Sequence, residues 1–159
     1  MVRLYQMLAS DGRSRTPYLV RPPRARTYSL DLTPDQLAGL RQAMIAVVEQ
    51  GTARGSRLRS LTIAGKTGTA QNPHGADHGW FIAFAPADRP EIVVGAIVEF
   101  AQHGSGIAPF VTRIIAHYLG VEATAGFRSL LPADTAPEPF LLPTLPRLDS
   151  VPRDTLRIP

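Results

Sequence analysis

The chain has 159 residues, 44% of them hydrophobic and 19% charged, with a formal charge of +4; this suffices for one domain with a real core and excludes a chain disordered throughout. It contains no cysteine, so neither disulfides nor cysteine metal sites hold it together. Neither an apolar run of about twenty residues nor a signal-peptide pattern occurs, and taken literally the chain would stay in the cytoplasm.

Six arginines (Arg3, Arg13, Arg15, Arg21, Arg24 and Arg26) stand in the first thirty residues against one acid, Asp11. A basic arm of this kind raises nucleic acid as a partner. The region holds only Tyr5, Tyr18 and Tyr28 as aromatics and no nucleic-acid motif, so a solvated basic surface is expected and no nucleic-acid partner. In the same stretch Leu4, Met7 and Leu8 recur at helical spacing over residues 2–10, with Gly12 as a stop. Thr16-Pro17-Tyr18-Leu19-Val20 then predicts a short extended segment, ended by Pro22-Pro23.

Thr33 as N-cap, Pro34 at the first helical position and Gln36 closing a capping box predict a helix over 34–50. Its apolar stripe is Leu37, Leu40, Met44, Val47 and Val48, and Gly51 stands in the C′ position. A basic stretch with Arg54, Arg57 and Arg59 leads to Leu61, where alternation of Leu61 and Ile63 with Thr62 and Ala64 predicts a strand over about 61–69. Asn72 to Gly79 reads as a polar turn, Trp80 to Ala85 as a strand apolar on both faces, Pro86 to Pro90 as a reversal and Ile92 to Phe100 as a third strand. Short polar connections make the three an antiparallel meander. Gly104-Ser105-Gly106 precedes a helix over about 107–119, with Pro109 in its first turn and Phe110, Val111, Ile114 and Tyr118 as its apolar surface. Seven of the fifteen prolines follow Gly120, so residues 121–159 are expected to be an extended or disordered tail.

The predicted strand at 61 ends in the only lysine of a chain that otherwise uses arginine. A lysine ammonium is a compact point charge, the threonine hydroxyls of Thr67 and Thr69 can donate to an anion, and glycine lets another backbone approach. Together they suit a carboxylate-bearing peptide. A phosphate-binding loop competes for Gly65-Lys66-Thr67 but fails: its first glycine would be Ser60, the would-be loop is an apolar strand, and Gly68, Asn72 and Pro73 stand where a helix should begin. His74 and His78, with Asp77 between, have metal-ligand spacing only on a helix. They lie in a predicted turn without a third histidine, so no metal site is expected.

Lys66-Thr67-Gly68-Thr69 followed by Ala70-Gln71 resembles the third motif of the penicillin-binding, serine-acyltransferase family. The resemblance extends to Met44-x-x-Val47-Val48 ending in Gly51-Thr52-Ala53. Asp77-His78-Gly79-Trp80-Phe81 leading to Ala85-Pro86, with Glu99 closing the next strand, resembles the class B, cell-elongation type (penicillin-binding protein 2-like) more than the division type. The resemblance covers about residues 1–120 and implies an α+β fold, the C-terminal part of the serine β-lactamase/transpeptidase-like fold. The strands at 61, 80 and 92 would be the last three of its antiparallel sheet, flanked by helices.

The family's reaction needs a serine followed three residues later by lysine, and a Ser-x-Asn. Neither is present: with Lys66 the sole lysine and Asn72 the sole asparagine, the serines would have to be Ile63 and Ala70. No catalytic nucleophile is therefore assigned, and the chain is expected to be the later part of a transpeptidase domain beginning at an internal or misassigned Met1. By resemblance, Lys66, Thr67 and Thr69 would hold the carboxylate of a D-alanyl-D-alanine stem peptide or a β-lactam, the Thr69 N–H would be an oxyanion donor, and Gly68 would keep the strand edge open. The partner implied is the missing N-terminal part of the same domain, which would also carry an inner-membrane anchor for a periplasmic domain; no cofactor is implied. Alternative readings are a non-catalytic peptidoglycan-peptide binding module and a basic nucleic-acid binder. Two structural expectations follow: the Lys66 strand lies on an exposed edge, and the strand at 92–100 leaves an apolar edge that makes the isolated chain prone to aggregate.

Overall fold

The structure, a computed structural model, describes residues 1–20 and 26–121; apart from Val121, the expected Pro-rich tail lies outside the described residues. Its elements are α1 (Val2–Ala9), β1 (Arg13–Arg15), β2 (Thr27–Ser29), α2 (Pro34–Glu49), β3 (Ala64–Ala70), β4 (His78–Ala85), β5 (Ile92–Val98) and α3 (Ala108–Tyr118). Short 3-10 turns at Arg54–Ser56 and Gly104–Gly106 complete them. The class is α+β, and β3, β4 and β5 form the expected antiparallel meander in that order.

Side chains alternate across a strand, and in β4 both faces are buried. Phe81, Ala83 and Ala85 face one cluster with Ile63, Val48, Leu58, Val111 and Ile115, while Ile82 and Phe84 face another with Ala64, Tyr5 and Met44. The α3 side of the sheet thus holds one core and the α1 side the other, and α2 contributes to both. Among the described residues no helix is long and apolar enough to cross a membrane.

α2 begins with the full capping box: the Gln36 N–H donates to the Thr33 hydroxyl at 3.2 Å and the Thr33 N–H donates to the Gln36 side-chain oxygen at 2.9 Å. Such a cap is worth about 1 kcal/mol. Its stripe is buried only toward the C-terminus, at Met44 and Val48, and Leu40 is 43% exposed. Gly51 is at the helix end as expected, but close approach and not a left-handed turn requires it there: a Cβ would lie 2.8 Å from Val47 Cα. Arg41 ties α2 to the end of α1, its Nε donating to the Leu8 carbonyl at 2.6 Å and its Nη2 to the Ser10 carbonyl. A cation there also complements the helix C-terminus.

Several boundaries differ from the sequence reading. β3 starts at Ala64, because Leu58 and Leu61 form an isolated bridge and the Thr62 carbonyl accepts from the Ala87 N–H at 2.9 Å instead of joining the ladder. The extended segment near residue 16 is β1 at 13–15, paired antiparallel with β2. β5 ends at Val98, leaving Glu99 in a turn. α3 buries Ala108, Val111, Thr112, Ile115 and Ala116. Of the apolar surface expected for it, Val111 is buried, while Phe110, Ile114 and Tyr118 are 53%, 52% and 64% exposed on its outer side.

Tyrosine ionisation should divide along this fold. Burial pushes the Tyr5 phenol above its usual range, while a hydrogen bond from Thr16, aided by Arg3 and Arg26, lowers that of Tyr28. The Arg3 guanidinium lies 4.1 Å over the Tyr28 ring. Because the native state holds the Tyr5 proton more tightly than the unfolded chain does, that contribution to stability is complete below the unfolded value and is lost as pH rises through the folded one. Phenolate absorbance should show an early step removed by Tyr28→Phe and a late step, coincident with alkaline unfolding, removed by Tyr5→Phe. Simultaneous titration of both would contradict the assignment.

Candidate functional site

β3 pairs only with β4, so its other edge is free of strand partners among the described residues. Along it Lys66 and Thr69 are exposed, Thr67 is buried and Gly68 is half-buried. The Lys66 ammonium donates to the Thr67 carbonyl at 2.8 Å. Among the described residues the one ion pair is Arg57–Glu49, so no carboxylate among them pairs with Lys66. The edge therefore offers a point charge that no carboxylate of the described residues compensates and, three residues on, an exposed hydroxyl, groups that can each hydrogen-bond an external anion.

Thr67 behaves differently from Thr69. Its hydroxyl lies 2.7 Å from that of Thr52, and at 9% exposure it faces inward across the sheet from Lys66. Thr52 had no role in the sequence reading beyond its place in Gly51-Thr52-Ala53. The signal was the spacing of that triplet just after α2, which brings the helix end against β3.

Both glycines of β3 are covered by an aromatic residue of the neighbouring strand. A Cβ on Gly65 would fall 2.6 Å from the Phe81 ring, and one on Gly68 would fall 1.8 Å from the Trp80 indole. Cross-strand aromatics of this kind restore the packing that glycine loses in a strand. Gly68 thus admits Trp80, and the openness of the edge comes from the position of β3 in the sheet. Gly104 closes on the same point: a Cβ there would lie 2.2 Å from the Trp80 carbonyl oxygen and 2.5 Å from that of Gly68. The turn at 104–106 is thereby seated against the end of the motif. A separate cleft of about 280 Å³ lies between α2 and the β4–β5 reversal, lined by Arg41, Gln42, Ile45 and Asp88 among others, and does not include Lys66.

His78 is the first residue of β4, paired with Ala70, and its Nδ1 accepts the Phe100 N–H at 3.1 Å. The His74 N–H donates to the Asn72 side-chain oxygen at 3.0 Å. The two histidines thus serve the connections at this end of the sheet.

Comparison with known proteins agrees with this geometry. Residues 1–116 match the penicillin binding protein transpeptidase domain, and the chain belongs to that family. It is 35% identical over 118 residues to the peptidoglycan D,D-transpeptidase MrdA of Acinetobacter baumannii, a match covering 65% of this chain and 18% of that protein. With the peptidoglycan D,D-transpeptidase PbpA of Mycolicibacterium smegmatis it shares 37% identity over 109 residues, 58% of this chain and 22% of the other. The chain spans about a fifth of the length of these relatives. Among solved structures, penicillin-binding protein A from M. tuberculosis, as its imipenem acyl-enzyme, superposes with a TM-score of 0.64 at 26% identity over 74% of this chain and 29% of that one. Pseudomonas aeruginosa PBP2 gives 0.61 at 30% identity over 74% and 28%. These likenesses support a class B transpeptidase domain of the PBP2 type.

Proposed function

We propose that residues 1–120 form the Lys-Thr-Gly wall of the active site of a peptidoglycan D,D-transpeptidase of the cell-elongation type, membrane-anchored and periplasmic. The observation that carries this is Lys66, exposed on a free strand edge and without a carboxylate partner among the described residues. The Lys66 ammonium and the Thr69 hydroxyl bind the terminal carboxylate of a D-alanyl-D-alanine stem peptide, or that of a β-lactam. The peptide backbone adds along the edge of β3 as an extra strand.

Acyl transfer itself needs a serine oxygen to attack the penultimate D-alanine carbonyl, expelling the terminal D-alanine, and an amine of a second stem peptide to take the acyl group and regenerate the serine. No serine of this chain is followed three residues later by lysine, so that nucleophile belongs to a complementary part of the domain. As the carbonyl becomes tetrahedral, the Thr69 N–H donates to its oxygen, a contribution of about 3–4 kcal/mol in acyl-transfer enzymes. Thr67, engaged with Thr52, holds the strand to the end of α2.

The 159-residue chain should consequently bind a D-alanyl-D-alanine peptide weakly, on the order of millimolar, with amide NMR shifts centred on residues 66–69. It should form no band with a fluorescent penicillin on a denaturing gel. Specific covalent labelling would refute the division of labour between the two parts, and absence of shifts at 66–69 at saturating peptide would refute the carboxylate site.

A further inference from the structure

Two non-glycine residues near the motif, Phe100 and Gln102, have left-handed backbone conformations, with φ of 60° and 62°. Such conformations persist where surrounding contacts over-determine them. Here the contacts come from the entry of β4. The Phe100 N–H donates to His78 Nδ1 at 3.1 Å, and the two rings meet edge to face with centroids 5.3 Å apart. One residue before, the Asp77 carbonyl accepts the Gln102 N–H at 2.8 Å, while its carboxylate accepts the Asn72 N–H at 3.1 Å. The connection after β3 and the connection after β5 thus meet at Asp77, and His78 adds a second hold on the latter.

The consequence reaches the motif through backbone packing. With Phe100 and Gln102 held, the His103 carbonyl oxygen sits where a Cβ on Gly79 would be 2.7 Å away, and Gly104 sits against Gly68 and Trp80. Gly79 is the pairing partner of Thr69. Nothing larger than hydrogen fits at either contact, so displacement of the 99–104 turn frees the backbone of both residues.

We propose that His78 is a positioning residue for the Thr69 backbone, acting through Phe100 and the seating of Gly104 without touching substrate. For Nδ1 to accept, the imidazole must be neutral with its proton on Nε2. The part that concerns substrate rests on the carboxylate-site reading given above; the part that concerns Thr69 does not.

The experiment compares the 159-residue chain with His78→Phe, which keeps a ring and loses the acceptor, and His78→Asn, whose side-chain oxygen can stand where Nδ1 stood. Amide hydrogen exchange followed by NMR is expected to quicken at least about tenfold at Phe100 and Gln102 in His78→Phe, and the Thr69 amide resonance to shift, with the exchange of the β4 amides of Ile82 and Phe84 unchanged. His78→Asn should restore protection at Phe100 and Gln102 and return the Thr69 resonance to its parent position. The His78→Phe chain should also bind the D-alanyl-D-alanine peptide more weakly than the parent and His78→Asn. Unchanged exchange at Phe100 in His78→Phe would overturn the clasp, and faster exchange at Phe100 with Thr69 unmoved would overturn the positioning role. A uniform acceleration that includes Ile82 and Phe84 and is not reversed by Asn would mark His78 as merely structural and overturn it equally. Should the parent chain bind no peptide, the carboxylate-site reading fails, and the Thr69 resonance still decides the role of His78.

Discussion

Phe81→Ala is expected to bring the chain to the margin of unfolding at room temperature. Phe81 is fully buried in the α3-side core, and truncating such a ring costs about 3–5 kcal/mol in transfer and cavity terms. A domain of this size has only about 5–15 kcal/mol in total. The low end applies here, because β5 presents a second edge with Ile97 64% and Val98 43% exposed. Phe81 also covers Gly65, so its loss leaves β3 unsupported one residue before Lys66. Phe110→Ala is the control: that ring is 53% exposed on the outer side of α3, and its removal should cost no more than about 1 kcal/mol. Urea titrations followed by circular dichroism would measure both. Equal midpoints for the two variants would contradict the core described here.

The difference between those two phenylalanines was not legible in the sequence. Helical spacing gathers Phe110, Val111, Ile114 and Tyr118 into one apolar surface of α3, yet of these only Val111 joins Ala108, Ile115 and Ala116 in the core. Which stripe meets the sheet depends on how closely the helix can approach, a tertiary property. α2 was easier at its start, because Thr33, Pro34 and Gln36 satisfy one another locally. The meander was legible for a similar reason: short polar connections between apolar runs leave little but antiparallel neighbours.

At the site, residue identity carried far and surroundings did not. Lys66 announced itself as the sole lysine, and its strand edge is free as expected. That Thr67 turns inward to Thr52, or that Trp80 covers Gly68, depends on registers between α2, β3 and β4 that no local pattern fixes. The left-handed residues Phe100 and Gln102 gave no warning at all. Positive φ is ordinarily foreseen from glycine or asparagine, and here the hydrogen bonds that Gln102 and Phe100 donate to Asp77 and His78 take that place.

Lys66→Ala carries the second large effect. Removing a charged partner from a carboxylate held in a shielded groove costs about 2–5 kcal/mol, which corresponds to a loss of roughly thirtyfold or more in acylation rate. Lys66→Arg should restore only part of it, since a planar guanidinium does not reproduce a compact ammonium that also donates to the Thr67 carbonyl at 2.8 Å. Thr69→Val should reduce the rate further by removing the exposed hydroxyl.

The measurement is made in a chimera of the Acinetobacter baumannii relative in which residues 1–116 of this chain replace the matching segment. Its second-order rate of labelling by a fluorescent penicillin is compared with that of the same chimera carrying Lys66→Ala, both checked for cooperative thermal unfolding. The wall assigned to this chain predicts rapid labelling of the first protein and a rate at least about thirtyfold lower for the second. Equal rates for the two, or a folded first protein that does not label, would contradict it.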